Sequence, residues 1–294
     1  MSPIKISAEK KATVVSSSVA LFLTLLKLTI GILSGSVAVL ASAVDSVLDL
    51  FVSVFNYFAI SNSEKPADEQ FNYGRGKIEA LASVIEGSII TTSGLFLLYQ
   101  AISKYINHTV SSYAQISIIV MIISLGVTIG LVAYLNAIAK QTDNMVIKAD
   151  ALHYKTDVYT NIAVLTSLLL VYFTSYEIID VLIGGAISLY IIYSAYELIE
   201  DGVLVLLDRA LDEDITQQIK DIIINEPQVT SYHFLKTRTA GNNNFVDVHV
   251  VFNTSILLLE AHSVSDIIEE KIILLDNNKE WIINIHLDPY DDSI

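Results

Sequence analysis

The 294-residue chain has no cysteine, which excludes disulfides, thiolate-bound metals and thiol catalysis. Charge is scarce too: Asp, Glu, Lys and Arg make up 17% of residues, where a soluble domain carries about 25%. With 53% hydrophobic residues and a mean hydropathy of +0.55, the missing charge makes lipid part of the solvent. Basic residues are scarcest, 17 Lys and Arg against 32 Asp and Glu, so the net charge is −15. That leaves no basic footprint for nucleic-acid phosphates. No Gly-rich phosphate loop is present, and ATP chemistry has no obvious seat. The apolar residues are too abundant for a disordered chain.

What is there is a series of long apolar runs. About 20 residues cross the hydrocarbon of a bilayer, and six segments qualify: 13–34, 36–60, 78–101, 115–139, 146–173 and 178–206. The second and fifth carry acids and are weak by hydropathy alone. All four prolines fall outside these runs, as unbroken helices require. The first run is too long for a cleaved leader and lacks a small-residue cleavage pattern, so the N-terminus is expected to be retained. Lys and Arg concentrate at the N-terminus (Lys5, Lys10, Lys11), in the 61–77 loop (Lys65, Arg75, Lys77) and at 140–148 (Lys140, Lys148), whereas the alternate loops hold only Lys104. The positive-inside rule then predicts both termini in the cytoplasm.

From residue 208 charges become frequent and segments shorten. A helix is expected over 212–225, with Asp212, Glu213 and Asp214 favouring its N-terminal dipole. Strands are expected at Thr230–Thr239 and Phe245–Phe252 around a Gly241-Asn-Asn-Asn turn, then a helix at 257–275 and a strand at Trp281–Leu287. The expected fold class is an α-helical membrane protein with six transmembrane helices (1–207) followed by a cytoplasmic α+β domain (208–294), its helices on one face of a small sheet.

Ionisable residues at bilayer depth cost at least about 2.5–3.5 kcal/mol each and are functional candidates by default. Asp45 and Asp49 lie four apart in the second run; His153 and Asp157 lie four apart in the fifth. Each pair therefore shares a helix face. If the two faces meet, three carboxylates and an imidazole surround a point, a set suited to a borderline divalent ion such as Zn²⁺. The alternative is that the acids line a vestibule or bond to Ser46, Ser53, Asn56 and Asn161. Lys155, two residues from each candidate ligand, should point elsewhere. Glu86 is a further buried acid, read as cavity-lining or as an extra proton carrier. Of the six histidines, His108 falls in an outer loop, while His233, His249, His262 and His286 share the C-terminal domain. His286 and Asp288 share a strand face, and together the set suggests a metal cluster.

These residues sit in longer strings: Gly35-Ser-Val-Ala-Val-Leu-Ala-Ser-Ala-Val-Asp45-Ser-Val-Leu-Asp49, Lys65-Pro-Ala-Asp68, Tyr73-Gly-Arg-Gly-Lys77-Ile-Glu79, Ala149-Asp150-Ala-Leu-His153-Tyr-Lys-Thr-Asp157 and Leu207-Asp208-Arg209-Ala-Leu211. Together they resemble the cation diffusion facilitator family, in its bacterial YiiP/FieF-type branch, over nearly the whole chain. The resemblance implies a homodimer in the inner membrane that exchanges Zn²⁺, or Cd²⁺ or Fe²⁺, for protons and is not an enzyme. It implies a transport site at Asp45, Asp49, His153 and Asp157, and a metallochaperone-like, ferredoxin-like cytoplasmic domain. In that domain Asp288 would bridge one ion held by His233 and His249 and another held by His262 and His286. Lys77 and Asp208 resemble a charge interlock. A loop site found in close relatives is expected to be weak or lost: Asp68 remains, but Phe71 and Arg75 stand where histidines are needed, and Arg75 repels a cation. A non-transporting, membrane-anchored metal-sensing scaffold is the alternative function.

Overall fold

A computed structural model describes residues 7–34, 37–107, 115–174 and 178–291. Lys5 and His108 lie outside the described residues. Six long helices come first: α1 (Ala8–Ser34), α2 (Val37–Ser63), α3 (Lys77–Asn107), α4 (Gln115–Thr142), α5 (Met145–Thr174) and α6 (Ile178–Leu206). All six runs read from the sequence are helical, and several extend by a turn or more past the predicted ends. Stretches of α1, α3, α4 and α6 are apolar and long enough to cross a membrane by composition and length. The paired ionisable residues lie on the other two, α2 and α5. At 27 residues, α2 is still about 40 Å long.

The chain divides into two units. The first holds the helices to Val203, and the second comprises Leu204–Ile294 with Arg75–Lys77. In the first unit, small residues let the helices approach: Ala12, Ala59, Ala82, Ala139 and Ala151 pack with Ile60, Leu135, Ile147 and Tyr154 in one buried cluster. Close packing of small residues is a main source of helix association where lipid removes the hydrophobic drive. Two hydrogen bonds help to fix α1 and α5 against α2, Thr24 to the Ser46 carbonyl at 2.8 Å and Ser53 with Tyr154 at 2.7 Å. Asn144 caps α5, its side-chain oxygen accepting the Val146 and Ile147 amides.

The second unit runs α7 (Glu213–Ile224), β1 (Val229–Ala240), β2 (Asn243–Phe252), α8 (Leu258–Ile273) and β3 (Glu280–Asp288). The expected α-β-β-α-β order is present. Boundaries shift by one or two residues, and one shift matters for the turn: Asn243 and Asn244 belong to β2, so the hairpin closes on Gly241 and Asn242, with Gly241 at φ +61°. Glycine takes that backbone without the steric cost that a Cβ adds. The sheet order is β1-β2-β3, antiparallel then parallel. Alternation along β2 puts Val246, Val248, Val250 and Phe252 into the core with Ile219 and Ile223 of α7 and Val264, Ile268 and Ile272 of α8. Both helices therefore cover one face, and residues 245, 247, 249 and 251 point to the other.

Candidate metal centres

In the helical unit, ligand atoms of Asp49, His153 and Asp157 all lie within 4.8 Å of one another. His153 Nε2 stands 3.1 Å from Asp49 Oδ1, joining α5 to α2. Three of the four residues read from the two i, i+4 pairs thus meet at one place. Asp45, one helical turn from Asp49, is outside the group and its side chain is exposed. The polar neighbours that were the alternative partners make their hydrogen bonds elsewhere. Ser46 accepts from Lys27, Ser53 pairs with Tyr154, Asn56 donates to Glu86 and Asp150, and Asn161 donates to the Asp157 main-chain carbonyl. Two carboxylates and an imidazole nitrogen form a hard and borderline donor set that fits a divalent transition ion.

Lys27 is the participant that sequence reasoning missed. Its ammonium on α1 donates to Ser46 Oγ at 2.7 Å and to the Ser42 carbonyl at 3.4 Å, and its charge acts on Asp45, Asp49 and Asp157. One lysine in an apolar run reads as a snorkelling residue; only helix packing shows that it faces the acids. Lys155 points away as expected, its ammonium 5.5 Å from the centre of the Tyr159 ring.

The second group forms on the helix-free face of the sheet. His233 pairs with His249 across β1 and β2, and His249 with His286 across β2 and β3, so the register sets three imidazoles in a row. Asp288, two residues after His286, divides its oxygens between them: Oδ2 lies 2.8 Å from His249 Nδ1 and 3.4 Å from His233 Nε2, while Oδ1 lies 3.1 Å from His286 Nε2. A carboxylate placed this way can hold two ions at once. A bulge between His233 and Lys236, with Phe234 at φ +52°, interrupts β1 beside the cluster. The Phe234 ring lies edge-on to His233 and His249. Bulges re-aim side chains at such positions. Asp291, which the sequence did not flag, comes within 3.3 Å of His233 Nδ1. His262 is not gathered: it stands on α8, 66% exposed, 3.9 Å from Asp266 one turn on.

Asp68 uses its carboxylate locally, with Oδ1 accepting the Gln70 and Phe71 amides at 3.0 and 2.9 Å. Neither metal-type group found among the described residues includes it. Lys77 and Asp208 do meet, at 3.0 Å, and Arg238 reaches the same oxygen at 3.2 Å. Burial pushes the Asp208 carboxyl up, but the bond and charge of Lys77, then Arg238, outweigh it and hold it below the usual range. A depressed value means the pair stabilises the fold above the unfolded carboxyl value of about 3.9 and loses that contribution as pH falls through the folded one. In thermal unfolding of the solubilised chain, Asp208→Asn should cost up to about 1 kcal/mol at neutral pH. The gap to wild type should close in acid; a gap that persists there would assign the loss to something other than charge.

The cation efflux transmembrane domain profile matches residues 13–207, and the cation efflux protein cytoplasmic domain profile matches residues 211–290. The cation-efflux pump FieF of Escherichia fergusonii is 35% identical over 279 residues, 95% of this chain and 92% of that protein. FieF of Escherichia coli K12 is 34% identical over the same shares. A solved chain of CzrB in its zinc form, described as a candidate zinc transporter, is 25% identical and covers 29% of this chain and 96% of its own; its TM-score of 0.26 is too low to bear on the fold.

Proposed function

The chain belongs to the cation efflux family of membrane transporters, and on that premise we propose that it is a proton-coupled antiporter exporting divalent transition-metal cations from the cytoplasm, Zn²⁺ ahead of Cd²⁺ and Fe²⁺. The observation that carries this reading is the meeting of Asp49, His153 and Asp157 on two helices of the bundle. Asp45, one turn along the same helix, would swing in as fourth ligand. The metal is cargo here, so its binding must be reversible within each cycle. Metal and proton compete for the same lone pairs, so protonation from the far side weakens the grip and the proton gradient drives release. His153 suits this exchange because the same imidazole nitrogen can hold either a metal ion or a proton. Rocking of one helix group against another would open the site alternately to each face. Lys27 supplies a tethered positive charge beside the carboxylates.

The protein works as a homodimer in the inner membrane, with both termini in the cytoplasm and Lys77–Asp208 as an interlock. Its cytoplasmic cluster fits resident ions: His233, His249 and Asp288 would hold the first, and Asp288, His286 and a redirected His262 the second. From residue 208 onward 16 acidic side chains face 6 basic ones, a charge near −10 that would repel the partner domain. Ions at the cluster would offset that repulsion and make the domain a sensor of cytoplasmic metal.

The test is metal uptake into proteoliposomes under an imposed pH gradient, comparing Zn²⁺, Cd²⁺, Fe²⁺ and Mn²⁺. Zinc flux should follow the size and sign of the gradient. Absence of flux for every metal, in protein that still binds zinc, would replace the transporter by a metal-sensing scaffold.

A further inference from the structure

Glu86 on α3, Asp150 on α5 and Asn56 on α2 form a cluster that neither metal centre uses. All three are buried, at 1%, 0% and 0% exposure. The Asn56 amide nitrogen bridges the two acids, donating to Glu86 Oε2 at 3.0 Å and to Asp150 Oδ1 at 3.2 Å. Both of its protons are thereby used. The remaining atoms, Glu86 Oε1, Asp150 Oδ2 and Asn56 Oδ1, are buried without a hydrogen-bond partner.

All three orphaned atoms are acceptors. That pattern identifies what is missing, because an acceptor is satisfied only by a donor or a positive charge. Leaving a buried polar atom bare costs about 1–3 kcal/mol, and more for a charged group. Two ionised carboxylates sharing one amide would add mutual repulsion in a low-dielectric place. One hydrogen ion eases both problems: it cancels one charge and turns one of the three acceptors into an O–H donor that can serve a second.

We propose that Glu86 and Asp150 form a carboxylic acid–carboxylate pair that binds one proton at neutral pH, a proton site separate from the metal centre. The charged or titratable groups that act on the pair from neighbouring elements are His153 of α5 and Asp49 of α2. Tyr154 of α5 also faces Asp150. From α1, the Ser16 hydroxyl reaches Asp150, although its one proton can turn to the Thr13 carbonyl at 3.2 Å. The site stands on hydrogen-bond accounting, independently of whether the chain transports metal.

Infrared spectroscopy of the full chain in metal-free vesicles tests this. At neutral pH the wild type should show a protonated-carboxyl C=O band that shifts in heavy water. The band should be lost in both Glu86→Gln and Asp150→Asn. Absence of the band in wild type, or its survival in both variants, overturns the proposal; loss in only one variant overturns the sharing. Should either variant fail to fold, the wild type decides alone: isotopic labelling of Glu carboxyls and, separately, of Asp carboxyls should each move part of the band. A band moved by neither label belongs elsewhere, and the pair is then not the site.

Discussion

Asp157→Asn is expected to reduce gradient-driven zinc uptake in proteoliposomes by at least about 100-fold. Asparagine keeps the shape of the side chain but removes its charge and leaves a weak neutral donor. The site would then rest on Asp49 and His153, which already lie 3.1 Å apart and share a hydrogen bond in this arrangement. Disturbing even the groups that orient a ligand typically costs 10–100-fold in affinity or activity, so losing a ligand outright should cost more. Lys27 sharpens the effect. Its ammonium opposes a divalent cation, and each acid removed tips the local balance further against the metal. Zinc binding at the cytoplasmic cluster should be unaffected, which separates loss of the transport site from loss of the fold. Uptake within a few-fold of wild type would mean that metal crosses elsewhere.

The second large effect concerns Asp288→Ala. Because Asp288 reaches all three aligned histidines, its removal should weaken both proposed ions together. Zinc held at 100 times its Kd stabilises a folded protein by about 2.7 kcal/mol per site. The cluster's share of the zinc-dependent rise in the unfolding temperature of the full chain should therefore disappear in the variant, as the whole rise should in wild type stripped by a chelator. His262→Ala is the informative comparison, since His262 stands apart on α8. A full zinc-dependent rise in Asp288→Ala would show that the three histidines bind metal without the bridging carboxylate.

Much of this was legible in sequence because it depends on periodicity. Six apolar runs of membrane-crossing length became α1–α6, and the change in texture after residue 208 marked the α+β domain. The i, i+4 spacing of Asp45–Asp49 and His153–Asp157 named two helix faces before either was placed. What spacing along one helix cannot supply is which side chains on other helices face it. Lys27, Asp150 and Asn56 illustrate this: each reads as an isolated polar residue, and each acquires meaning from a neighbour more than 15 residues away. Asp45 shows the same limit in reverse, since sharing a face with Asp49 does not put it in the group with His153 and Asp157.

In the C-terminal domain the four histidines and Asp288 were all visible, but spacing alone did not give their grouping, which only the resemblance implied. Alternation along a strand says which residues share a face; register between strands says which of them touch. The pairing of His233 with His249 and of His249 with His286 is a property of the ladders, and the bulge at Phe234 that adjusts β1 has no local signal as clear as a glycine. The sequence by itself determined the elements, the solvent each prefers and the types of ligand available, because those follow from local spacing and composition. Tertiary structure alone decided which carboxylates share a metal-type site, which face a lysine and which share an amide, because these depend on contacts between elements distant in the chain.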